Sequence, residues 1–126
     1  MYEIGVIAQF EAAHRLRGDF GPATRLHGHT YRLEVIARGE RLQTDGTLYD
    51  LGALRATVDG IAAELHYRDL DEVPGLAGSN TTAEAVADYC WRRVAPTLAG
   101  SPLQSLLVRI WESPQAYAAR DDRLPE

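Results

Sequence analysis

The sequence predicts an α+β domain of ββααββ order, with two helices on one face of a small antiparallel sheet. Three observations predict it. Apolar and polar residues alternate near the start of the chain and again past residue 29, which is the strand period. Between residues 51 and 65 the spacing lengthens to three and four, which is one stripe of a helix. After residue 103 the period returns to two. A chain of 126 residues, 45% apolar and 25% charged, is expected to form one domain over 1–126 with a sizeable core.

The elements follow in order. From 2 to 10, Tyr2, Ile4, Val6, Ala8 and Phe10 share one face, against Glu3, Gly5 and Gln9. A strand-like run continues from Phe10 to His14. Residues 15–25 hold Gly18, Gly21 and Pro22 and read as a loop. A second strand is expected over about 29–38, with Tyr31, Leu33, Val35 and Ala37 opposite Arg32, Glu34 and Arg38, and a turn over 39–46. Leu51, Leu54, Val58, Ile61 and Leu65 then form a helical stripe, with Asp50 placed to cap it. Residues 69–79, with Pro74, Gly75 and Gly78, read as a loop. Thr81 and Glu84 have the spacing of a capping box, so Asn80-Thr81-Thr82, which also matches a glycosylation sequon, is read as a helix start. Val86, Tyr89, Cys90 and Val94 are the apolar positions of that helix, and Pro96 lies near its end. A third strand is expected over 103–112 and a short fourth over 116–119. Two helices cover only one face, so the other face and the sheet edges call for oligomerisation.

Charge and composition narrow the function. The net charge is −5 and no basic run exists, so nucleic acid is not an expected partner. No run of apolar residues is long enough to span a membrane. The start of the chain lacks a charged lead and a cleavage site, and Cys90 has no disulfide partner, so a cytoplasmic location is expected. Cys90 is most simply a small core hydrophobe.

The histidines point to chemistry. His27 and His29 flank Gly28 at the head of a strand-like run, and strand alternation turns both to the same face. His14 closes the earlier run. Three neutral imidazoles with one open position are the ligand set of a catalytic zinc, whereas structural zinc usually takes four protein ligands. A lone His-x-His is a weak signal; His14 strengthens it. Glu112 shares strand parity with Leu106, Val108 and Ile110, so it is either an exposed strand end or a buried acid awaiting an N–H-rich partner. The spacing of Gly21, His27, His29 and Glu34 also fits the first metal motif of a cupin, an all-β barrel. The two helical stretches oppose that reading, and parity sets Glu34 on the face away from His27 and His29.

Several segments in matching order and spacing resemble the 6-pyruvoyl-tetrahydropterin and 6-carboxytetrahydropterin synthase family. They are residues 10–16, Leu26-His-Gly-His-Thr-Tyr31, residues 46–51, residues 65–73, Asn80-Thr-Thr-Ala-Glu84 and Val108-Arg-Ile-Trp-Glu112. The resemblance spans nearly the whole chain. It implies the tunnelling fold, in which ββααββ units form trimeric barrels that stack into homohexamers with active sites between subunits. It implies that His14, His27 and His29 bind Zn2+, that Glu112 anchors a pterin ring, and that Thr81 and Thr82 help to hold it. The implied substrate is a reduced pterin such as 7,8-dihydroneopterin triphosphate. Zinc would act on its side-chain oxygens as a Lewis acid.

The chain departs from the family at its proton-transfer set. The family's cysteine, four residues before the first histidine of His-x-His, is Ala23 here. Its Leu-Asp-His-Arg motif reads Leu65-His66-Tyr67-Arg68, so His66 and Tyr67 replace the Asp-His pair. Three readings follow: altered lyase chemistry with His66 or Tyr67 as acid or base, pterin binding without turnover, or weak family activity from zinc and water. The first is the main expectation, a zinc-dependent carbon–oxygen or carbon–carbon lyase; a non-catalytic zinc- and pterin-binding protein is its alternative.

Overall fold

The computed structural model describes residues 1–126. Strand β1 (Tyr2–His14) pairs antiparallel with β2 (His27–Gly39) along its whole length, from Tyr2 opposite Gly39 to His14 opposite His27. β1 ends at His14, where the strand-like run from Phe10 is expected to close, and β2 begins at His27, two residues before the expected start. Ala12, Ala13 and Gly28 carry little hydrophobic signal, yet the ladder continues because each residue has a cross-strand partner.

Helix α1 (Leu51–Leu65) starts at Asp50, whose carboxylate accepts the Ala53 amide proton. Leu51, the first residue of the predicted stripe, is exposed; Leu54, Val58, Ile61 and Leu65 are buried. The region read as a loop opens with a two-residue strand, β3 (Arg68–Asp69), which lies parallel to β1 beside Ala12 and Ala13. Two residues are too few to show a period. A 3-10 turn follows at Leu70–Glu72. Helix α2 (Ala83–Val94) is capped by Thr82, which accepts from the Ala85 amide at 3.1 Å. The cap is therefore one residue later than the Thr81–Glu84 spacing suggests, because the Thr81 hydroxyl is bound to Asp71. Strands β4 (Ser105–Ser113) and β5 (Ala116–Arg123) complete a sheet of order β3-β1-β2-β4-β5. β5 is longer than expected: its polar end, Arg120 to Arg123, shows no apolar alternation but pairs with β4 throughout.

One sheet face, including Phe10, Tyr31, Leu33, Val35, Val108 and Ile110, packs on the buried stripes of both helices. Cys90 belongs to this core, and burial pushes its thiol up to about 12, leaving it inert. The opposite face is uncovered and partly polar. There Glu34 accepts from Arg109 and from the Trp111 indole, and the Arg32 guanidinium lies 4.5 Å over the Trp111 ring. Glu34 is thus bound on the far face from the histidines, and the two helices rule out an all-β barrel. No helix is long and apolar enough to cross a membrane.

Candidate metal centre

The β1–β2 register brings the three histidines together. His14 faces His27 directly, and His29 faces Ala12, so all three project from the core face at the end of the two strands. Their rings meet edge-on, with centroids 4.5 to 5.1 Å apart. One ligand nitrogen from each lies within 4.8 Å of the others.

Hydrogen bonds fix which nitrogens are free. The Nδ1 of His14 lies 2.7 Å from the Thr81 carbonyl, and the Nδ1 of His27 lies 2.8 Å from the Arg25 carbonyl. A carbonyl only accepts, so each Nδ1 carries the proton and each Nε2 keeps its lone pair. The Nε2 atoms of His14 and His29 are buried without any partner. A buried orphan acceptor is costly, and two of them converging beside a third imidazole fit a cation bound among them. Carbonyl-oriented imidazoles are the usual outer shell of such a site. Burial lowers the His29 pKa, opposed by the nearby Glu112 carboxylate, which favours the neutral form that binds metal.

Glu112 lies on the same side of the sheet. The β2–β4 register pairs Arg32 with Trp111, and one step further sets Glu112 across from Tyr31. It borders a cavity of about 290 Å³ with Leu16, Phe20, Thr82, Ala83 and Tyr117. No salt bridge engages its carboxylate. Tyr31 is fully buried with its hydroxyl unpartnered, and burial, followed by the Glu112 and Asp71 carboxylates, pushes its phenol well above the ordinary range. The two threonines diverge. Thr82 borders the cavity while its hydroxyl caps α2. Thr81 is fully buried, its hydroxyl on Asp71 and its carbonyl on His14.

His66 and Tyr67 stand apart from the three imidazoles, at the end of α1 against the outer edge of β1. The Glu11 amide donates to the His66 Nδ1 at 3.0 Å, and the Tyr67 amide donates to the Glu11 carbonyl at 2.6 Å. The two rings stack on each other with centroids 3.8 Å apart. Tyr67 is 78% exposed and has a φ of 59°, a left-handed conformation usually left to glycine at a helix end. Ala23 sits in the 3-10 turn Gly21–Thr24, its carbonyl accepting from the Leu16 amide. Its methyl group can carry no proton.

This geometry meets known proteins at one point. The family model for 6-pyruvoyl tetrahydropterin synthase matches residues 3–122. The chain belongs to this synthase family. A Pyrococcus horikoshii protein named as a putative 6-carboxy-5,6,7,8-tetrahydropterin synthase is 32% identical over 87% of this chain and 83% of its own. A Pyrococcus furiosus protein named dihydroneopterin monophosphate aldolase is 32% identical over 83% of this chain and 84% of its own. Among solved structures, the Caenorhabditis elegans 6-pyruvoyl tetrahydropterin synthase superposes with a TM-score of 0.82 at 27% identity, covering 96% of this chain and 95% of that one. Members of the family thus carry names for different reactions on pterins, so membership establishes a pterin-processing enzyme family and leaves the bond broken open.

Sequence reasoning passed over Asp71 and Asn80. Asp71 falls inside the 65–73 segment of the resemblance, but no period or motif marks its carboxylate. Asn80 falls in the segment that the sequence marks as a helix start, but its side chain both accepts from the Arg17 amide and donates to the Arg17 carbonyl.

Proposed function

We propose that this chain is a zinc-dependent lyase acting on a reduced pterin with a phosphorylated side chain, working as a cytoplasmic homohexamer. The observation that carries this reading is the convergence of orphaned, buried Nε2 atoms on His14 and His29 beside His27. A zinc ion bound there supplies Lewis acidity to the oxygens of the pterin side chain. The unpaired Glu112 carboxylate accepts the two parallel N–H groups of the guanidine-like pterin edge. Thr82 closes the same cavity, and Thr81 supports it from behind.

The residues in place of the family's proton-transfer set shape the reaction. Because the Glu11 amide occupies the His66 Nδ1, the neutral ring carries its proton on Nε2 and serves as a donor rather than a base. Tyr67 stacks on that ring and presents its phenol outward. Both lie at an open sheet edge, so they serve the site of a neighbouring copy. Ala23 removes the thiolate that would take a proton from carbon. Cleavage of a carbon–carbon bond beside a hydroxyl instead passes the O–H proton, far more acidic than C–H, to solvent; the C=O forms as the carbon–carbon bond breaks, its electron pair goes to the carbon attached to the pterin ring, and the His66 Nε2–H can return a proton there. Such a reaction asks less of the protein's own base. The aldolase name of the Pyrococcus furiosus relative supports the same branch.

Ala23 and the occupied His66 Nδ1 also favour a second reading, a pterin-binding protein without turnover. Mass-spectrometric analysis of the zinc-loaded chain with 7,8-dihydroneopterin triphosphate and monophosphate separates the two. A zinc-dependent product is expected, and its mass identifies the bond broken; unchanged substrate in both reactions would leave the binding role. His66→Ala is expected to abolish turnover and to leave pterin binding near the parent value. Equal turnover in that variant would remove His66 from the chemistry.

A further inference from the structure

We infer that Asp71 is a positioning residue for the metal centre, acting on His14 through Thr81. The inference rests on the metal reading above and concerns residues that do not touch the ion. His14 is 1% exposed, and its ring is aimed by the 2.7 Å bond from Nδ1 to the Thr81 carbonyl. That carbonyl precedes the α2 cap and belongs to no ladder, so something else must hold it. The Thr81 hydroxyl donates to Asp71 Oδ1 at 2.8 Å, while Asp71 Oδ2 accepts the Arg15 amide at 3.0 Å. One carboxylate therefore grips the residue after the ligand and the residue whose carbonyl orients the ligand. The 3.4 Å approach of the Thr81 hydroxyl to His14 Nδ1 is too long to replace the carbonyl bond.

Two further contacts stiffen this arrangement. Asp69 Oδ1 accepts the Asp71 amide at 3.0 Å, and Asp69 is itself paired to β1 beside Ala13. Asn80 exchanges two hydrogen bonds with the Arg17 backbone. The segment 15–17 is thus pinned at both ends, and Leu16 between the pins borders the Glu112 cavity. The brace ties the aim of a metal ligand to the wall of the substrate cavity.

The test uses the purified full chain as apoprotein, titrated with zinc against a chromophoric chelator and separately loaded with Co2+ for visible spectroscopy. Thr81→Val keeps shape and removes the hydroxyl that donates to Asp71, and Asp71→Asn keeps shape but leaves one acceptor where the brace needs two. They are expected to weaken zinc binding by roughly 10- to 100-fold and to change the cobalt d–d bands even at saturation. Thr81→Ser restores the hydroxyl and is expected to bind like the parent, as is Glu72→Gln, which removes a neighbouring charge outside the brace. Circular dichroism and thermal unfolding of each apoprotein check the fold. Parent-like affinity and an unchanged cobalt spectrum in Asp71→Asn and Thr81→Val would overturn the inference. An equal loss in Glu72→Gln, or apoproteins that no longer fold, would overturn it too, assigning the effect to long-range charge or to the fold. Absence of zinc binding by the parent chain would sink the metal reading itself, and the brace with it.

Discussion

His29 shows how burial acts on protonation at a single residue. Burial depresses the His29 pKa from its ordinary 6.5, so the unfolded chain binds more protons than the folded one between the depressed value and 6.5. Stability of the metal-free protein therefore rises with pH across that window and is lost as pH falls through it. Thermal unfolding of chelator-treated protein on either side of pH 6.5 should show this slope, reduced in His29→Asn; a slope of opposite sign would contradict the burial argument. Zinc loading should steepen the dependence, because protons and metal compete for the same lone pairs. Glu112→Gln keeps the size of the side chain and removes its charge. A charge-assisted pair is worth about 1.5–3 kcal/mol, so pterin affinity should fall roughly 10- to 100-fold while zinc affinity stays unchanged. Retained pterin affinity would place the ring elsewhere.

Helix ends matter more than helix interiors here. Thr82 caps α2 and borders the Glu112 cavity, so Thr82→Ala should cost about 1 kcal/mol of stability in chemical denaturation. Tyr67 occupies a left-handed backbone position at the end of α1, which costs a non-glycine residue about 1–2 kcal/mol. Tyr67→Gly should therefore raise the unfolding midpoint, even though it deletes the ring stacked on His66. A lower midpoint would mean that the Tyr67 side chain stabilises the fold and is not kept there against its conformational cost. The same substitution should lower turnover if Tyr67 serves the chemistry, a trade-off familiar where backbone strain is stored at functional sites.

Sheet edges set the behaviour of the whole molecule. β3 covers only Ala12 and Ala13 on the outer side of β1, and β5 has no outer neighbour. Two long bare edges are open to pairing with further copies, and the first of them carries His66 and Tyr67 beside Glu11. Sedimentation velocity should report a hexamer, and a monomer would remove the subunit-spanning site. Complementation tests that site directly. Chains with His66→Ala and chains with His14→Ala, each inactive alone, should regain part of the activity when refolded together; no recovery would show that each chain needs its own pair.

The family was legible in the sequence from motif segments in matching order, such as Leu26–Tyr31 and Val108–Glu112, and strands and helices were legible because burial on one face writes a period of two or of three to four into the sequence. The histidine cluster was legible for the same reason, since His27 and His29 obey strand parity and the ladder that buries Phe10 carries His14 to meet them. The pairing of Arg68 and Asp69 with β1, the left-handed Tyr67 and the occupied Nδ1 of His66 were not legible, because each arises from a contact with Glu11, Ala12 or Ala13, more than fifty positions away. Asp71 was hidden for the same reason. Periodicity records which way a residue faces, but a hydrogen bond between distant segments depends on where the whole chain has brought them. The sequence by itself determined the architecture and the three histidines that could hold a metal; only the tertiary structure decided which nitrogen is free, which hydroxyl is engaged and which carboxylate binds Thr81 and the Arg15 amide.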